Sequence, residues 1–305
     1  MKTLGLDLGG TKILAAVVED GKILARQHLP TPRSGYAAVV DALALAAMTL
    51  LREHPDVTSV GLGSPGPLNL REGRVVFAPN IPGLEDVPIA PDLSARLGLR
   101  VVLENDANAA GYAEHLYGAA KNLKSSIYVT LSTGIGGGLF VGDRVVRGAY
   151  GVAGEVGHIS VLPGGPLCGC GQYGCLEAVA AGRALARDGS HAYGVALTTH
   201  EVFERAAAGE LLALRVVDQA TLYTGLAFSN LLKIFDPDAF VLGGGMTRVG
   251  AFYVDKIKSA ADGFTRGFPD VKLLLAELGT DAGVIGAAAV AARELSAVAG
   301  PSAVA

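Results

Sequence analysis

One pattern is written twice in this chain. In residues 3–25, TLGLDLGGTKILAAVVEDGKILA, an apolar strand runs into a glycine turn, returns as a second strand, turns again at Asp20-Gly21 and continues as a third. Residues 125–148, SSIYVTLSTGIGGGLFVGDRVVRG, repeat that order, with a hydroxyl-and-glycine turn, a return to Val141 and a second turn at Gly142-Asp143. An Asp-Gly pair between apolar runs is the chemistry of a tight hairpin, whose central residues need positive φ. Setting Asp7 against Ser132 and Gly9 against Gly134 brings the later turns to within a few residues of register. Such a chain is expected to form two structurally related lobes, each opening with a hairpin whose glycine turn faces a shared cleft.

Between and after the hairpins, strand and helix alternate, which predicts an α/β fold. Helical periodicity covers Tyr36 to Arg52, Asp106 to Tyr117, Thr199 to Ala208 and Leu211 to Phe235, and short strands are expected at Thr58 to Gly63, Arg100 to Leu103 and in AFVLGG at 239–244. Lys121 to Ser125 reads as the crossing, giving lobes at 1–118 and 119–281, with the Ala-rich segment from Ala282 to Ala297, within 282–305, returning to pack on the first. A chain of 305 residues can bury two cores, and its 50% apolar content fits that. A net charge of −4 with no basic cluster argues against a nucleic-acid partner. Asp7 and Lys12 interrupt the first apolar stretch before a signal-peptide core forms, and the longest apolar run, Ala42 to Leu51, is too short to span a bilayer. A soluble, cytoplasmic protein without a membrane partner is the expectation.

A phosphate is held by exposed backbone N–H groups, and a side chain at the turn would block its approach. Three glycine turns directly follow apolar strands: Gly9-Gly10-Thr11-Lys12, the run from Thr133 through Gly134 to Gly138, and Gly243-Gly244-Gly245. Together they point to a nucleotide cleft. GLDLGGTK is not a P-loop, because its threonine precedes its lysine. Gly61, Gly63 and Gly66 spell a dinucleotide fingerprint, but Pro65 and Pro67 interrupt the loop and no clear helix follows.

All three cysteines, Cys168, Cys170 and Cys175, fall within one glycine-rich loop, and an odd number so grouped argues for a metal rather than disulfides. With His158 they make the Cys3His set of a closed, structural Zn2+, which would order the loop and anchor Glu177 just beyond Cys175. Glu155 and His158 are three apart, a spacing that puts both on one face of a helical turn. Asp106 stands where the strand VVLEN gives way to a helix, so its carboxylate can project into a cleft as a general base. An aspartate before an Ala-rich helix can equally be an N-cap.

These strings, in order and nearly end to end, resemble the ROK family of sugar kinases and repressors within the actin-like ATPase superfamily. They are GLDLGGTK at 5–12, GLGSPGP at 61–67, PN at 79–80, ENDANAA at 104–110, TLSTGIGGG at 130–138, GEVGH at 154–158 and CGCGQYGCLE at 168–177. The resemblance implies a two-lobed actin-like (ribonuclease H-like) fold with the active site in the interlobe cleft. It implies ATP contacted by Gly9, Gly10, Thr11, Lys12, Thr133 and Gly134, with Gly244 near the adenosine, and Asp7 orienting a hydrated Mg2+. It implies hexose contacts from Asn80, Asn105, Asp106, Glu155, His158 and Glu177, with pocket shape around Asn80 and Gly66 setting selectivity, and Asp106 as catalytic base. Within the family the resemblance is greatest to bacterial glucokinases; the alternatives are kinases for fructose, N-acetylmannosamine, N-acetylglucosamine or allose, or a sugar-sensing regulator that binds without phosphorylating. Family repressors carry an N-terminal DNA-binding extension, and a chain opening on the phosphate hairpin is expected to lack one. Relatives of this kind are often dimers or tetramers.

Overall fold

The computed structural model describes residues 1–78 and 80–299, with side chains of the final helix described to residue 295. Pro79 of the PN string and residues 300–305 of the closing segment lie outside the described residues. The chain divides into two compact units: residues 1–121 with 147–151 and 278–305, and residues 122–146 with 152–277. The short segment 147–151 thus belongs to the first unit, although a single boundary near residue 118 would leave it in the second. Among the described residues, no helix is long and apolar enough to cross a membrane.

The first unit runs β1 (Thr3–Leu8), β2 (Lys12–Glu19), β3 (Lys22–Pro30), α1 (Tyr36–Glu53), β4 (Val60–Ser64), β5 (Leu68–Asn69), β6 (Arg74–Phe77), β7 (Glu85–Val87), α2 (Ile89–Leu97), β8 (Val101–Asn105) and α3 (Asp106–Tyr117). Its main sheet has the order β3-β2-β1-β4-β8. The hairpin strands are antiparallel, whereas β1, β4 and β8 are mutually parallel. Strands β1 and β4 are buried almost throughout, as central parallel strands covered on both faces must be. In register, Asp7 lies beside Gly63, and Ser64 beside Asn105. The carboxyl ends of three parallel strands therefore meet at one edge, the usual place for a ligand in such sheets. The turns at 9–11 and 65–67 and the start of α3 all leave from that edge.

The second unit runs β9 (Ser125–Leu131), β10 (Ile135–Val141), β11 (Arg144–Val145), α4 (Leu176–Ala180), α5 (Gly182–Tyr193), α6 (Thr199–Ala207), α7 (Leu211–Phe235), β12 (Ala239–Gly243), α8 (Ala251–Phe264) and β13 (Leu273–Leu275). Its sheet order, β11-β10-β9-β12-β13, reproduces the first with the same mix of antiparallel and parallel pairs. Each unit has its own apolar core. Two sheets of like topology make this the two-lobed actin-like ATPase fold. The strand ends correct the register of the repeat: Leu8 and Leu131 close the first strands, so Gly9 corresponds to Ser132 and Asp7 to Thr130, a shift of two residues from the turn-to-turn alignment.

The Ala-rich α9 (Ala282–Ala299) belongs to the first unit and lies almost on the backbone of its sheet. A Cβ at Gly61 would stand 1.8 Å from the Ala287 carbonyl oxygen, and one at Gly286 would stand 1.6 Å from that of Ala109. Small residues on both surfaces let α9 seat against β4 and α3, which fixes the strand end and helix start that carry the site.

Candidate active site

In the first unit the β1–β2 turn is closed by the Gly9 N–H donating to the Lys12 carbonyl at 3.0 Å. The Thr31 hydroxyl donates to the Gly9 carbonyl at 2.7 Å, and the Thr31 N–H to that of Thr11 at 3.1 Å. Gly9 is thereby committed to shaping the turn. The amides of Gly10 and Thr11 take no hydrogen-bond partner among the described residues, and both residues are accessible. Gly10 also lies against Asn80: a Cβ there would sit 3.4 Å from the Asn80 Cβ. The phosphate turn and one expected hexose contact are therefore neighbours.

The β8–α3 junction is built around a buried carboxylate. Glu104 is fully buried and accepts from Arg147 Nε at 2.7 Å, from Asn108 Nδ2 at 3.0 Å and from the Asn105 N–H at 3.0 Å. Asn105, not Asp106, caps α3: its Oδ1 accepts from the N–H groups of Ala107 and Asn108 at 2.9 and 3.1 Å. Such a cap contributes about 0.5–2 kcal/mol, and it occupies the oxygen of Asn105, so its Nδ2 is the end left for a ligand. Asp106 becomes the first helical residue, with one oxygen accepting from the Ala107 N–H at 2.8 Å. Burial holds the Asp106 carboxyl above the usual range. Burial, then the nearby Asp106 carboxylate, push Asp7 up to about 6, against the pull of Lys12. Two carboxyls and two open amides thus stand at one sheet edge, a donor and acceptor set that can serve a cation and an anion. Gly66 follows β4 at the same edge.

The second unit repeats the turn. Ser132 N–H donates to the Gly134 carbonyl at 3.0 Å, and the Thr133 and Gly134 amides take no partner among the described residues. Parallel pairing puts Thr130 beside Gly243, so Gly244 and the 132–134 turn leave the same sheet edge. A cavity of about 310 Å³ opens there, lined by Ser132, Thr133, Arg183, Thr199, Gly245 and Met246 among others. Two of the expected nucleotide turns thus border one cavity.

Glu155 precedes the 3-10 turn Val156–His158, whose closing bond runs from the His158 N–H to the Glu155 carbonyl at 3.0 Å. Residues three apart eclipse in such a turn, so the two side chains share a face. The ligand atoms of His158, Cys168, Cys170 and Cys175 lie within 4.8 Å of one another. Cys168 Sγ is 3.7 Å from His158 Nδ1, and Cys170 Sγ is 3.6 Å from Cys175 Sγ. A zinc tetrahedron with the usual Zn–S and Zn–N lengths has edges of about 3.5–3.8 Å, so two of these pairs already stand at that spacing and the remaining ligands need only close by about 1 Å around the ion. Burial, then the neighbouring thiols, push Cys175 up to about 12, and burial raises Cys168 as well, whereas Cys170 is lowered against its burial by the Gln172 N–H and the neighbouring thiols. Nδ1 turned to the cluster leaves Nε2 of His158 as the outward nitrogen.

Glu177 sits in the first turn of α4, one side of its carboxylate against the glycine turn. Oε2 accepts from the Ile135 N–H at 2.9 Å, and Oε1 pairs with Arg183. A Cβ at Gly134 would fall 2.4 Å from that Oε2, so glycine is needed for Glu177 to reach the turn. Arg183 was not legible in the sequence: helices α4 and α5 break at Ala181, and no helical spacing links Arg183 to Glu177 across the break.

The model of the ROK family matches residues 3–294. A glucokinase of Streptomyces coelicolor is 38% identical over 94% of this chain and 96% of its own length. A crystal structure of a ROK hexokinase from Thermus thermophilus superposes with a TM-score of 0.92 at 47% identity, covering 97% of this chain and 100% of that one. A ROK family glucokinase from Streptomyces griseus, in complex with glucose and AMPPNP, gives a TM-score of 0.81 at 36% identity over 96% and 100% of the two chains. Motifs, repeated sheet topology and end-to-end similarity agree, and this chain belongs to the ROK family.

Proposed function

We propose that this protein is an ATP-dependent hexose kinase that converts glucose to glucose 6-phosphate, with Asp106 as the catalytic base. The observation that carries the assignment is the state of Asp106: Asn105 has already capped α3, so the aspartate is spared that task, and burial raises its proton affinity. Phosphoryl transfer is mostly positioning and charge stabilisation, with one carboxylate taking the hydroxyl proton as the new P–O bond forms. A base above the usual carboxylate range takes that proton more readily.

In this reading Asn80, Asn105, Asp106, Glu155, His158 and Glu177 are the contacts for hexose hydroxyls, with Gly66 shaping the pocket. The phosphates of ATP take the Gly10, Thr11, Thr133 and Gly134 amides, helped by Lys12, and the adenosine lies in the cavity beside Gly244. Asp7 holds a hydrated Mg2+, which would neutralise phosphate charge. A Zn2+ held by His158, Cys168, Cys170 and Cys175 would be structural, all four positions being filled by protein. The similarity to kinases named for glucose supports glucose as acceptor. ADP release by purified protein across hexoses and N-acetylhexosamines tests this: glucose should give the highest kcat/KM. A panel without sugar-dependent ADP release would overturn the kinase reading, and preference for an N-acetylhexosamine would overturn glucose.

A further inference from the structure

Arg183 stands between two jobs. Its guanidinium pairs with Glu177 Oε1, yet its side chain is 54% exposed, while that of Glu177 is only 12% exposed. The same residue lines the cavity beside Ser132 and Thr133. Its backbone N–H donates to the Thr133 carbonyl at 3.3 Å, and that of Gly182 to Ser132 at 2.8 Å, so the start of α5 is seated on the turn whatever its side chain does. Both oxygens of Glu177 are engaged, Oε2 by the Ile135 N–H and Oε1 by the arginine, with the Cys168 Sγ also 3.9 Å from Oε1.

A hydroxyl approaching Oε1 must share that oxygen with the guanidinium, and hydrogen bonds to ions are about twice as strong as neutral ones, so a sugar does not displace the arginine by itself. A polyphosphate can, since it carries several charges and matches the planar fork of arginine.

We propose that Arg183 couples the two substrates: the phosphates of a nucleotide entering the cavity draw its guanidinium from Glu177, and the Oε1 so freed accepts a hexose hydroxyl. This rests on the hexose-kinase reading and on Glu177 as a hexose contact. Coupling is reciprocal, so sugar held at Glu177 also favours the arginine on the nucleotide. Arg183 is then a positioning residue for the hexose, acting through Glu177.

Calorimetric titration of glucose into the purified chain, with and without AMPPNP and Mg2+, tests the idea without turnover. In the native chain the nucleotide should tighten glucose by at least about fivefold, the lower end of common coupling factors. Arg183→Met should bind glucose alone more tightly than the native chain does, and nucleotide should then change that affinity less than twofold. Arg183→Lys, which keeps the charge, should retain part of the coupling. A merely structural arginine predicts the opposite sign, weaker glucose binding in Arg183→Met. That result, or equal coupling in native and Arg183→Met protein, would overturn the proposal. Failure of the kinase reading shows separately, as absence of sugar-dependent ADP release from the native chain.

Discussion

Asp7 and Asp106 face the same cost, two carboxyls kept from water near one another. Their raised proton affinities set a pH dependence. If Asp7 holds the cation as proposed it must be ionised, so kcat/KM should rise with pH through an apparent pKa near 6, well above the ordinary aspartate value of 3.8. A flat profile from pH 5 to 8 would contradict this. The stability consequence has the opposite sense. A carboxyl that binds its proton more tightly folded than unfolded loses stability as pH rises from 3.8 to about 6, and the loss persists above that window. Asp7→Asn should therefore raise the melting temperature of the ligand-free protein at pH 7 while lowering activity; a lowered melting temperature would argue that Asp7 is structural. At this scale the sequence left two roles open for Asp106, because Asn105 and Asp106 are both cap-forming residues side by side. Only the backbone placing Asn105 outside the helix, with Glu104 and Arg147 locking that junction, assigns the cap to Asn105 and relieves Asp106 of it.

Among elements, the loop that carries the three cysteines is where the proposed metal would join recognition to folding. Ser160 pairs with Cys175 and Leu167 with Tyr173, the only ladder-like contacts in a loop otherwise made of turns. A Zn2+ at His158, Cys168, Cys170 and Cys175 would offset the chain entropy of that loop and hold Glu177 at the head of α4. Cys170→Ala should release zinc, measurable by elemental analysis, and raise the sugar KM or unfold the second unit; native protein with no zinc would contradict the assignment. The final helix offers a test of packing. Gly61→Ala would drive a methyl into the Ala287 carbonyl, backbone against backbone, and should cost about 3 kcal/mol or more, at the upper end for overpacking. A shift of the denaturation midpoint worth under about 1 kcal/mol would show that α9 does not seat so closely. Elements with strong periodicity were legible, α3 and α7 among them. The strands β5 to β7 were not, being two to four residues long, and α4 and α5 were hidden because their break at Ala181 erases the helical period.

At the scale of the molecule, the duplication carries the account. It was visible as two glycine hairpins, but turn letters alone misplaced the register by two residues, since Gly9 and Ser132 are chemically unlike residues in one structural position. What survives divergence is the backbone: in each turn the first amide closes the hairpin and the next two are left for an anion. The carboxylates are not duplicated, because Asp7 has Thr130 as its counterpart, so the proposed base and the proposed cation ligand are both residues of the first unit. ADP release with glucose as acceptor, compared between the native chain and Asp106→Asn with calorimetric glucose affinities alongside, tests this most directly. Turnover of the variant should fall by roughly 10²–10⁴, the range for a lost general base, while glucose still binds. Turnover unchanged from the native rate would contradict the assignment of Asp106 as the base.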